Sequence, residues 1–167
     1  MKARLILILL LTCWYFLGPA ANSFADWVGT PAPDFSLKTI GNQTQIALKD
    51  YRGKAVLLDF WASWCGPCKA SLPQLQKLEA EYPGLKVLAV SIDDERKNAL
   101  EFMKRLNLDL TALYDENKKV AETYRVEAMP SALLIDRQGV VRYTLSGYSE
   151  KRLQELKTEI EKLTKNH

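Results

Sequence analysis

Residues 54–69, KAVLLDFWASWCGPCK, combine an apolar run with two cysteines. Residues 55–60 are apolar at nearly every position, which predicts a strand that is covered on both faces of a sheet. After the cysteines, leucines recur at the intervals of a helix, so we expect a helix over residues 67–82. The stretch therefore predicts a buried strand that turns sharply into a helix, with Cys65 and Cys68 in the first helical turn.

The position of the two cysteines predicts their chemistry. The first turn of a helix carries unsatisfied N–H groups and partial positive charge, which favour a thiolate and lower the pKa of a thiol placed there. Cys65 comes first and is the expected nucleophile toward a substrate disulfide. Cys68 lies one turn further in and is the expected resolving thiol. We therefore expect thiol–disulfide exchange through a redox-active Cys65–Cys68 disulfide, with no other cofactor.

A Cys-x-x-Cys pair is also half of a structural zinc site, which needs four Cys or His ligands. The other candidates are Cys13, in the N-terminal apolar run, and His167, the last residue. Neither supplies a second ligand pair, so no metal site is expected. The net charge is +3 and no basic patch stands out, so the sequence does not favour nucleic-acid binding either.

The N-terminus has the layout of a secretory signal peptide. Lys2 and Arg4 precede an apolar core at residues 5–17, and small residues occupy the positions that a signal peptidase recognises. We place cleavage after Ala25, so that residues 1–25 are the signal and residues 26–167 form one domain.

Two alternatives for the N-terminus stay open. An uncleaved membrane anchor is one, although the apolar run is shorter than the span of about 20 residues that a bilayer needs. A lipoprotein signal at Cys13 is the other, and the bulky residues that follow it disfavour this alternative. Residues 26–33 are expected to be a mobile segment that leads into the domain.

Several motifs together resemble one family. Residues 59–69, DFWASWCGPCK, resemble the active-site segment of thioredoxin, and Pro73 stands where thioredoxins kink the following helix. Residues 124–131, YRVEAMPS, resemble the segment that ends in the thioredoxin cis-proline, and Gly147 stands where the family has a glycine beside the active site. The leading segment 32–37, APDFSL, resembles the redoxin or TlpA-type branch, whose members are exported thioredoxin-like proteins of the bacterial envelope.

The resemblance implies an α/β thioredoxin fold, with a mixed central β-sheet flanked by helices on both faces. Alternation at residues 35–39 and 44–48 predicts an N-terminal β-hairpin that thioredoxin lacks. Residues 111–114 and 118–124 predict an inserted strand–helix element. A helix is expected over residues 95–106, with Asp93 or Asp94 as its cap. Ser149 is the expected cap of the last helix.

Asp59 is a carboxylate inside an otherwise apolar strand, so burial is expected to raise its pKa. The resemblance implies that Asp59 accepts the proton of Cys68 through water. Thioredoxins pair this aspartate with a lysine on the next strand, and here Ala89 takes that place.

Pro130 is expected in the cis form because of the resemblance, although cis X–Pro bonds are uncommon in folded proteins. The cis turn would bring the backbone of Met129 beside Cys65, where it can pair with an extended substrate strand. The shallow substrate groove is expected to be formed by Trp64, Gly66, Pro67, Met129 and Gly147, with Trp61 and Tyr148 at its rim. Trp61 as a core residue is an equal alternative.

The resemblance implies a monomeric reductase of protein disulfides in the periplasm or cell envelope. A membrane electron donor would re-reduce it, and cytochrome c maturation is one process that such proteins serve. A disulfide oxidase or isomerase, and a non-catalytic binding module, are the alternatives. A thiol peroxidase is disfavoured because Ala62 stands where peroxidases need a threonine.

Overall fold

Within residues 23–165, which the computed structural model describes, one mixed sheet contains seven strands. In chain order they are β1 (Ser36–Thr39), β2 (Gln45–Ala47), β3 (Ala55–Trp61), β4 (Leu85–Ser91), β5 (Thr111–Tyr114), β6 (Ser131–Ile135) and β7 (Val141–Ser146). Their order across the sheet is β2-β1-β5-β4-β3-β6-β7. The pairs β3–β4 and β4–β5 are parallel, whereas β3–β6, β6–β7, β1–β2 and β1–β5 are antiparallel.

The described residues form helices on both faces of the sheet. The helices are α1 (Gly66–Glu81), α2 (Arg96–Arg105), α3 (Lys119–Thr123) and α4 (Glu150–Thr164). Buried residues of α1, α2 and α4 pack with the two cysteines in one cluster, which we call the cysteine-side core. Buried residues of α3 pack with the opposite face of β3 in a second cluster, the opposite core. The predicted α/β thioredoxin fold is therefore confirmed, including the hairpin β1–β2 and the added β5–α3 element.

Strand β3 separates the two cores because its side chains alternate between the faces of the sheet. All seven of its residues are buried. Leu57 and Trp61 point into the cysteine-side core, whereas Leu58 and Phe60 point into the opposite core. Period-2 alternation therefore places Asp59 on the same face as helix α1 and its cysteines.

Residues 24–32 form an ordered segment, which we call the N-terminal strap. It begins with a 3₁₀-helix at Phe24–Trp27. Its backbone exchanges hydrogen bonds with the start of β7, because Gly29 N–H donates to Val141 O (2.8 Å) and Val141 N–H donates to Thr30 O (2.9 Å). The Trp27 indole N–H donates to Tyr124 O (2.9 Å). The prediction of a mobile segment at residues 26–33 is therefore wrong.

The two predicted helix caps have different outcomes. Ser149 is the N-cap of α4 and its hydroxyl accepts a hydrogen bond from Arg152 N–H (3.3 Å), as predicted. Neither Asp93 nor Asp94 caps α2, because its N-cap is Glu95 and no side chain bonds the helix end there. Asp93 is instead buried and bonded elsewhere, as described below.

The predicted signal peptide lies outside the described residues over positions 1–22, and its cleavage after Ala25 stays a prediction. Within residues 23–165, no helix has the length and apolar character needed to cross a membrane.

Candidate active site

Cys65 and Cys68 form a disulfide at the N-terminus of α1, with 5.3 Å between their Cα atoms. Cys65 is the N-cap residue, and its Sγ accepts a hydrogen bond from Cys68 N–H (3.3 Å). Pro67 occupies the first turn of α1, where its lack of an N–H removes no helical hydrogen bond. A thiolate at the Cys65 position would thus be stabilised by a backbone donor and by the positive end of the helix.

The two sulfurs differ in their access to solvent. Cys65 keeps 6% of its surface exposed, whereas Cys68 is fully buried. The side chain that precedes the pair, Trp64, is 67% exposed, and Gly66 and Pro67 are also exposed. A substrate disulfide can therefore approach Cys65 from the Trp64 side, whereas the buried sulfur of Cys68 is closed to an external substrate.

Trp61 is not part of this surface. It is fully buried in the cysteine-side core, and its ring lies 5.2 Å from the ring of Phe102. Its indole N–H has no hydrogen-bond partner among the described residues. The prediction that Trp61 rims the groove is therefore wrong, and the core alternative is the one that the structure supports. Trp61 is the last residue of β3, and the alternation of side chains along the strand points its ring into the cysteine-side core.

The Met129–Pro130 peptide bond is cis, as predicted. Pro130 is buried and its carbonyl accepts a hydrogen bond from Gly147 N–H (2.7 Å). Gly147 has φ +75°, a conformation in which a side chain would be strained, and this explains the glycine. Met129 is half-buried against the cysteine-side core, while Tyr148 follows Gly147 and is half-buried as well.

Asp59 is 1% exposed, and its Oδ2 has no hydrogen-bond partner within residues 23–165. Its neighbours in the sheet register are Ala89 on β4 and Ala132 on β6, neither of which can pair with a carboxylate. The pKa of Asp59 is raised well above its ordinary value because burial disfavours the charged form. Ala89, which the resemblance puts in the place of the thioredoxin lysine, is thus the β4 neighbour of Asp59.

A small cavity of about 10 Å³ adjoins Asp59. Ser71 of α1, Pro130 and the half-buried residues Gly147 and Tyr148 are among its lining residues. This volume is near the minimum that holds one water molecule. The cavity therefore links the buried carboxylate, the active-site helix and the cis-proline loop.

Sequence reasoning missed two polar residues near the cysteines. Ser71 is buried in the cavity wall, and its hydroxyl donates to Cys68 O (3.3 Å). Asp93 is fully buried, and both of its carboxylate oxygens accept from Ser63 N–H (3.1 and 3.0 Å). The available signal for Asp93 was an acidic residue directly after a buried strand, which the sequence analysis assigned to a helix cap.

The described residues contain no group of three or more His, Cys, Asp or Glu side chains that could hold a metal ion. The disulfide occupies both sulfurs of the site. The arrangement is suited to attack by an outer thiol on a disulfide, followed by attack from an inner thiol, with the buried carboxyl group of Asp59 on the same face of the sheet as that thiol.

Comparison with known proteins agrees with this geometry. The profile of the AhpC/TSA family matches residues 28–144. The thiol-disulfide oxidoreductase ResA of Geobacillus thermodenitrificans is 32% identical over 169 residues, which cover 98% of this chain and 94% of that relative. The ResA of Oceanobacillus iheyensis is 38% identical over 125 residues, which cover 72% of this chain and 65% of that relative.

A solved structure is similar over most of the chain. It is a putative thiol:disulfide interchange protein DsbE from Chlorobium tepidum, which is 34% identical and has a TM-score of 0.78. The superposition covers 82% of this chain and 97% of that protein. The chain therefore belongs to the AhpC/TSA family and is a thiol–disulfide oxidoreductase with a thioredoxin-like fold.

Proposed function

We propose that the protein is an exported reductase of protein disulfides, in which Cys65 attacks and Cys68 resolves. The observation that carries this proposal is the disulfide at the N-terminus of α1, with Cys65 as the outer, N-cap sulfur and Cys68 fully buried. In the reduced protein, the Cys65 thiolate attacks a substrate disulfide, forms a mixed disulfide and displaces one substrate thiolate. The Cys68 thiolate then attacks Cys65 Sγ and displaces the second, so two electrons pass from the pair to the substrate.

Asp59 is proposed to accept the Cys68 proton during the second attack. Its raised pKa makes the carboxyl group a better base than an ordinary, exposed aspartate. A water molecule in the adjoining cavity would carry the proton, because the cavity is lined by Asp59 and by Ser71, which lies one helical turn after Cys68 in α1. Ser71 lies in the same wall and offers that water a hydroxyl partner.

The substrate segment is proposed to lie across Trp64 and the cis-proline loop. Met129 leads into the cis bond, and its backbone would pair with an extended substrate strand. Gly66, Pro67 and Gly147 leave this surface shallow because they carry little or no side chain. A shallow groove that recognises backbone suits a protein substrate of varied sequence.

The direction of electron flow is proposed from the Gly66–Pro67 dipeptide. It is the dipeptide of thioredoxin, whose potential is about −270 mV, against about −120 mV for the oxidant DsbA. A protein with a thioredoxin-like potential becomes oxidised in the periplasm or cell envelope unless a membrane electron donor reduces it. Cytochrome c maturation is the proposed process. Relatives specialised for it commonly carry an acidic residue near the active site, sometimes just after the cis-proline, whereas Ser131 follows Pro130 here, which leaves room for a broader or different client.

Export is proposed on the signal-like residues 1–25, with cleavage after Ala25 and a monomeric domain at residues 26–167. An uncleaved anchor would leave the same domain tethered at the membrane surface. Immunoblotting of fractionated cells distinguishes the two, since an anchored chain stays with the membranes after a high-salt wash.

The test of the reductase proposal is the reduction potential of the Cys65–Cys68 pair. The protein is equilibrated with glutathione buffers, and the redox state is followed by Trp64 and Trp61 fluorescence. We expect a potential below about −230 mV, on the reducing side of glutaredoxin values. A value near −120 mV would make the protein an oxidase, the alternative function, with the same residues in the same roles.

Trapping identifies the client and tests the order of attack. The Cys68→Ser variant, expressed with its N-terminal segment, cannot resolve the mixed disulfide and should accumulate linked to its substrates through Cys65. The matched control is Cys65→Ser, which should trap nothing. Equal trapping by both variants would contradict the assignment of Cys65 as nucleophile.

A further inference from the structure

The turn that carries Trp64 and Cys65 is tied to the next strand by a buried carboxylate. Asp93 lies two residues past the end of β4 and is fully buried. Its oxygens accept from the Ser63 amide (3.1 and 3.0 Å), from the Ser63 hydroxyl (2.5 Å) and from the Ser91 hydroxyl (2.8 Å). We call these three residues, Asp93, Ser63 and Ser91, the Asp93 clasp.

The clasp acts at the point where β3 becomes the active-site turn. Trp61 pairs with Ser91 in the parallel register, and Ile92 N–H donates to Trp61 O (3.0 Å), which closes the strand pair. Beyond this point, Cys65 N–H donates back to Ala62 O (3.1 Å) and forms a tight turn. Ser63 is inside that turn, so the clasp holds the turn from the β4 side.

A carboxylate with this burial is unfavourable unless its oxygens are hydrogen-bonded. None of the salt bridges among residues 23–165 includes Asp93. Its hydrogen bonds go to Ser63 and to the end of β4. The neighbouring Asp94 differs, since it is exposed and pairs with Lys118.

We infer that Asp93 is a positioning residue for Cys65. By fixing Ser63, it directs Trp64 outward and holds Cys65 at the N-cap of α1, where Cys68 N–H reaches its sulfur. The inference rests on the proposed function, because it concerns how the attacking thiol is kept in place. If the turn moved, the Cys65 thiolate would lose its backbone donor, and the dithiol form would become less favourable relative to the disulfide.

The chemistry of asparagine makes Asp93→Asn a sharp test. Both carboxylate oxygens accept from Ser63 N–H. In asparagine one of these oxygens is replaced by an NH₂ group, which is itself a donor and therefore cannot accept from Ser63 N–H. The variant therefore loosens the turn while it keeps the size of the side chain. It also removes a negative charge, and that change alone would stabilise a nearby thiolate. Positioning and charge thus predict shifts of opposite sign.

The experiment compares Asp93→Asn, Ser63→Ala and the control Asp94→Asn in the full protein. Two quantities are measured for each variant: the equilibrium of the Cys65–Cys68 pair with glutathione, and the pH midpoint of the rate at which Cys65 is alkylated. We expect Asp93→Asn to shift the glutathione equilibrium about threefold toward the disulfide, as half a pKa unit would, and to raise the alkylation midpoint. Ser63→Ala should shift both in the same direction by less, since the amide bonds remain. Asp94→Asn loses the same charge from an exposed site and should leave both unchanged.

Three results would overturn the inference. A less stable Asp93→Asn variant with an unchanged equilibrium and midpoint would make the clasp purely structural. A shift toward the dithiol would assign the effect to charge. If Asp93→Asn does not fold, Ser63→Ala decides, and an unchanged equilibrium in that variant rejects the role. The equilibrium belongs to the pair, so it tests the clasp even if alkylation shows that Cys68 attacks first and the proposed function needs revision.

Discussion

Single residues set the chemistry of this protein through their burial. The two sulfurs have the same chemical nature, yet one is the N-cap of α1 and the other is fully enclosed. Asp59 and Asp93 also differ from each other, in the hydrogen bonds that their side chains accept. Both are buried aspartates, but Asp59 Oδ2 has no hydrogen-bond partner in the described part of the chain, while both oxygens of Asp93 accept hydrogen bonds. An unpartnered carboxyl group is suited to take up a proton, whereas a bonded carboxylate is suited to hold a backbone in place.

The first prediction concerns the two thiols in the reduced protein. Cys65 should react with iodoacetamide at least about tenfold faster than Cys68 near neutral pH, which corresponds to one unit of pKa difference. Mass spectrometry of tryptic peptides after brief labelling gives both rates in one sample. Equal rates would show that the N-cap position does not activate Cys65.

The second prediction concerns the stability that is lost because Asp59 ionises at a lower pH in the unfolded chain than in the folded protein. Because the folded-state pKa is raised, the native protein binds more protons than the unfolded chain above about pH 4, so stability falls as pH rises toward the folded pKa. Asp59→Asn lacks this loss. At pH 7 it should be more stable than the original protein by about 1.4 kcal/mol for each unit by which the folded-state pKa, counted up to the pH of the measurement, exceeds the unfolded one. At pH 3 the difference should vanish.

Urea denaturation of both forms between pH 3 and pH 8 measures this difference, with Asp109→Asn, an exposed carboxylate on a loop, as the control. In Asp59→Asn, resolution of the mixed disulfide should slow, while the first attack by Cys65 keeps its rate. A stability difference that does not change with pH would mean that the folded and unfolded states bind protons equally at Asp59, so that its pKa is not raised by folding. Unchanged turnover would remove Asp59 from the proton path.

At the scale of elements, the strands and long helices follow from local patterns. The apolar run of β3 and the leucine spacing of α1 place both elements within a residue or two of their observed bounds. The cis form of Pro130 came from family resemblance, since no local property of the sequence favours it. The Asp93 clasp and the N-terminal strap were missed because each joins residues that are distant in the chain. Periodicity reports which face of an element is buried, not which polar group a buried side chain meets.

The third prediction concerns the capping of α4. Ser149 accepts a hydrogen bond at the start of this helix, and α4 buries Leu153 and Leu156 in the wall of the Asp59 cavity. Ser149→Ala should lower the free energy of unfolding by about 1 kcal/mol and the melting temperature by about 3 °C. Ser149→Asp keeps an acceptor and should melt close to the original protein. A similar loss in both variants would indicate that the hydroxyl acts through contacts other than the cap.

At the scale of the whole molecule, one sheet separates a redox half from a supporting half. The cysteine-side core holds both sulfurs, α1, α2 and α4, and Asp59 lies on the same face of β3. The opposite core is closed by α3 and by residues that include Phe24 and Trp27 of the strap. Tyr124 is its hub, since its ring lies 5.6 Å from the rings of both Trp27 and Phe60. Tyr124 also begins the segment that leads to Pro130, so the strap contacts the start of the cis-proline loop.

The last prediction follows from this contact and concerns where the domain begins. A chain that starts at Asp26 keeps Trp27 and the strap's hydrogen bonds to β7, and should unfold within about 1 kcal/mol of one that starts at Ser23. A chain that starts at Asp34 loses the Trp27 bond, the strap bonds to β7 and the bond from Tyr124 Oη to Pro33 O. It should be less stable by about 3–5 kcal/mol, from several lost hydrogen bonds and the uncovered Tyr124 ring.

Urea denaturation of the three chains gives these differences, and the rate of insulin disulfide reduction reports on the cis-proline loop, which the proposed function places at the substrate. Because the strap bonds Tyr124 but touches neither cysteine, the shortest chain should lose rate while its glutathione equilibrium stays the same. The contrary result, in which the chain from Asp34 is as stable and as fast as the chain from Asp26, would show that the strap is dispensable. In that case the domain would begin at the β1–β2 hairpin and the opposite core would close without Trp27.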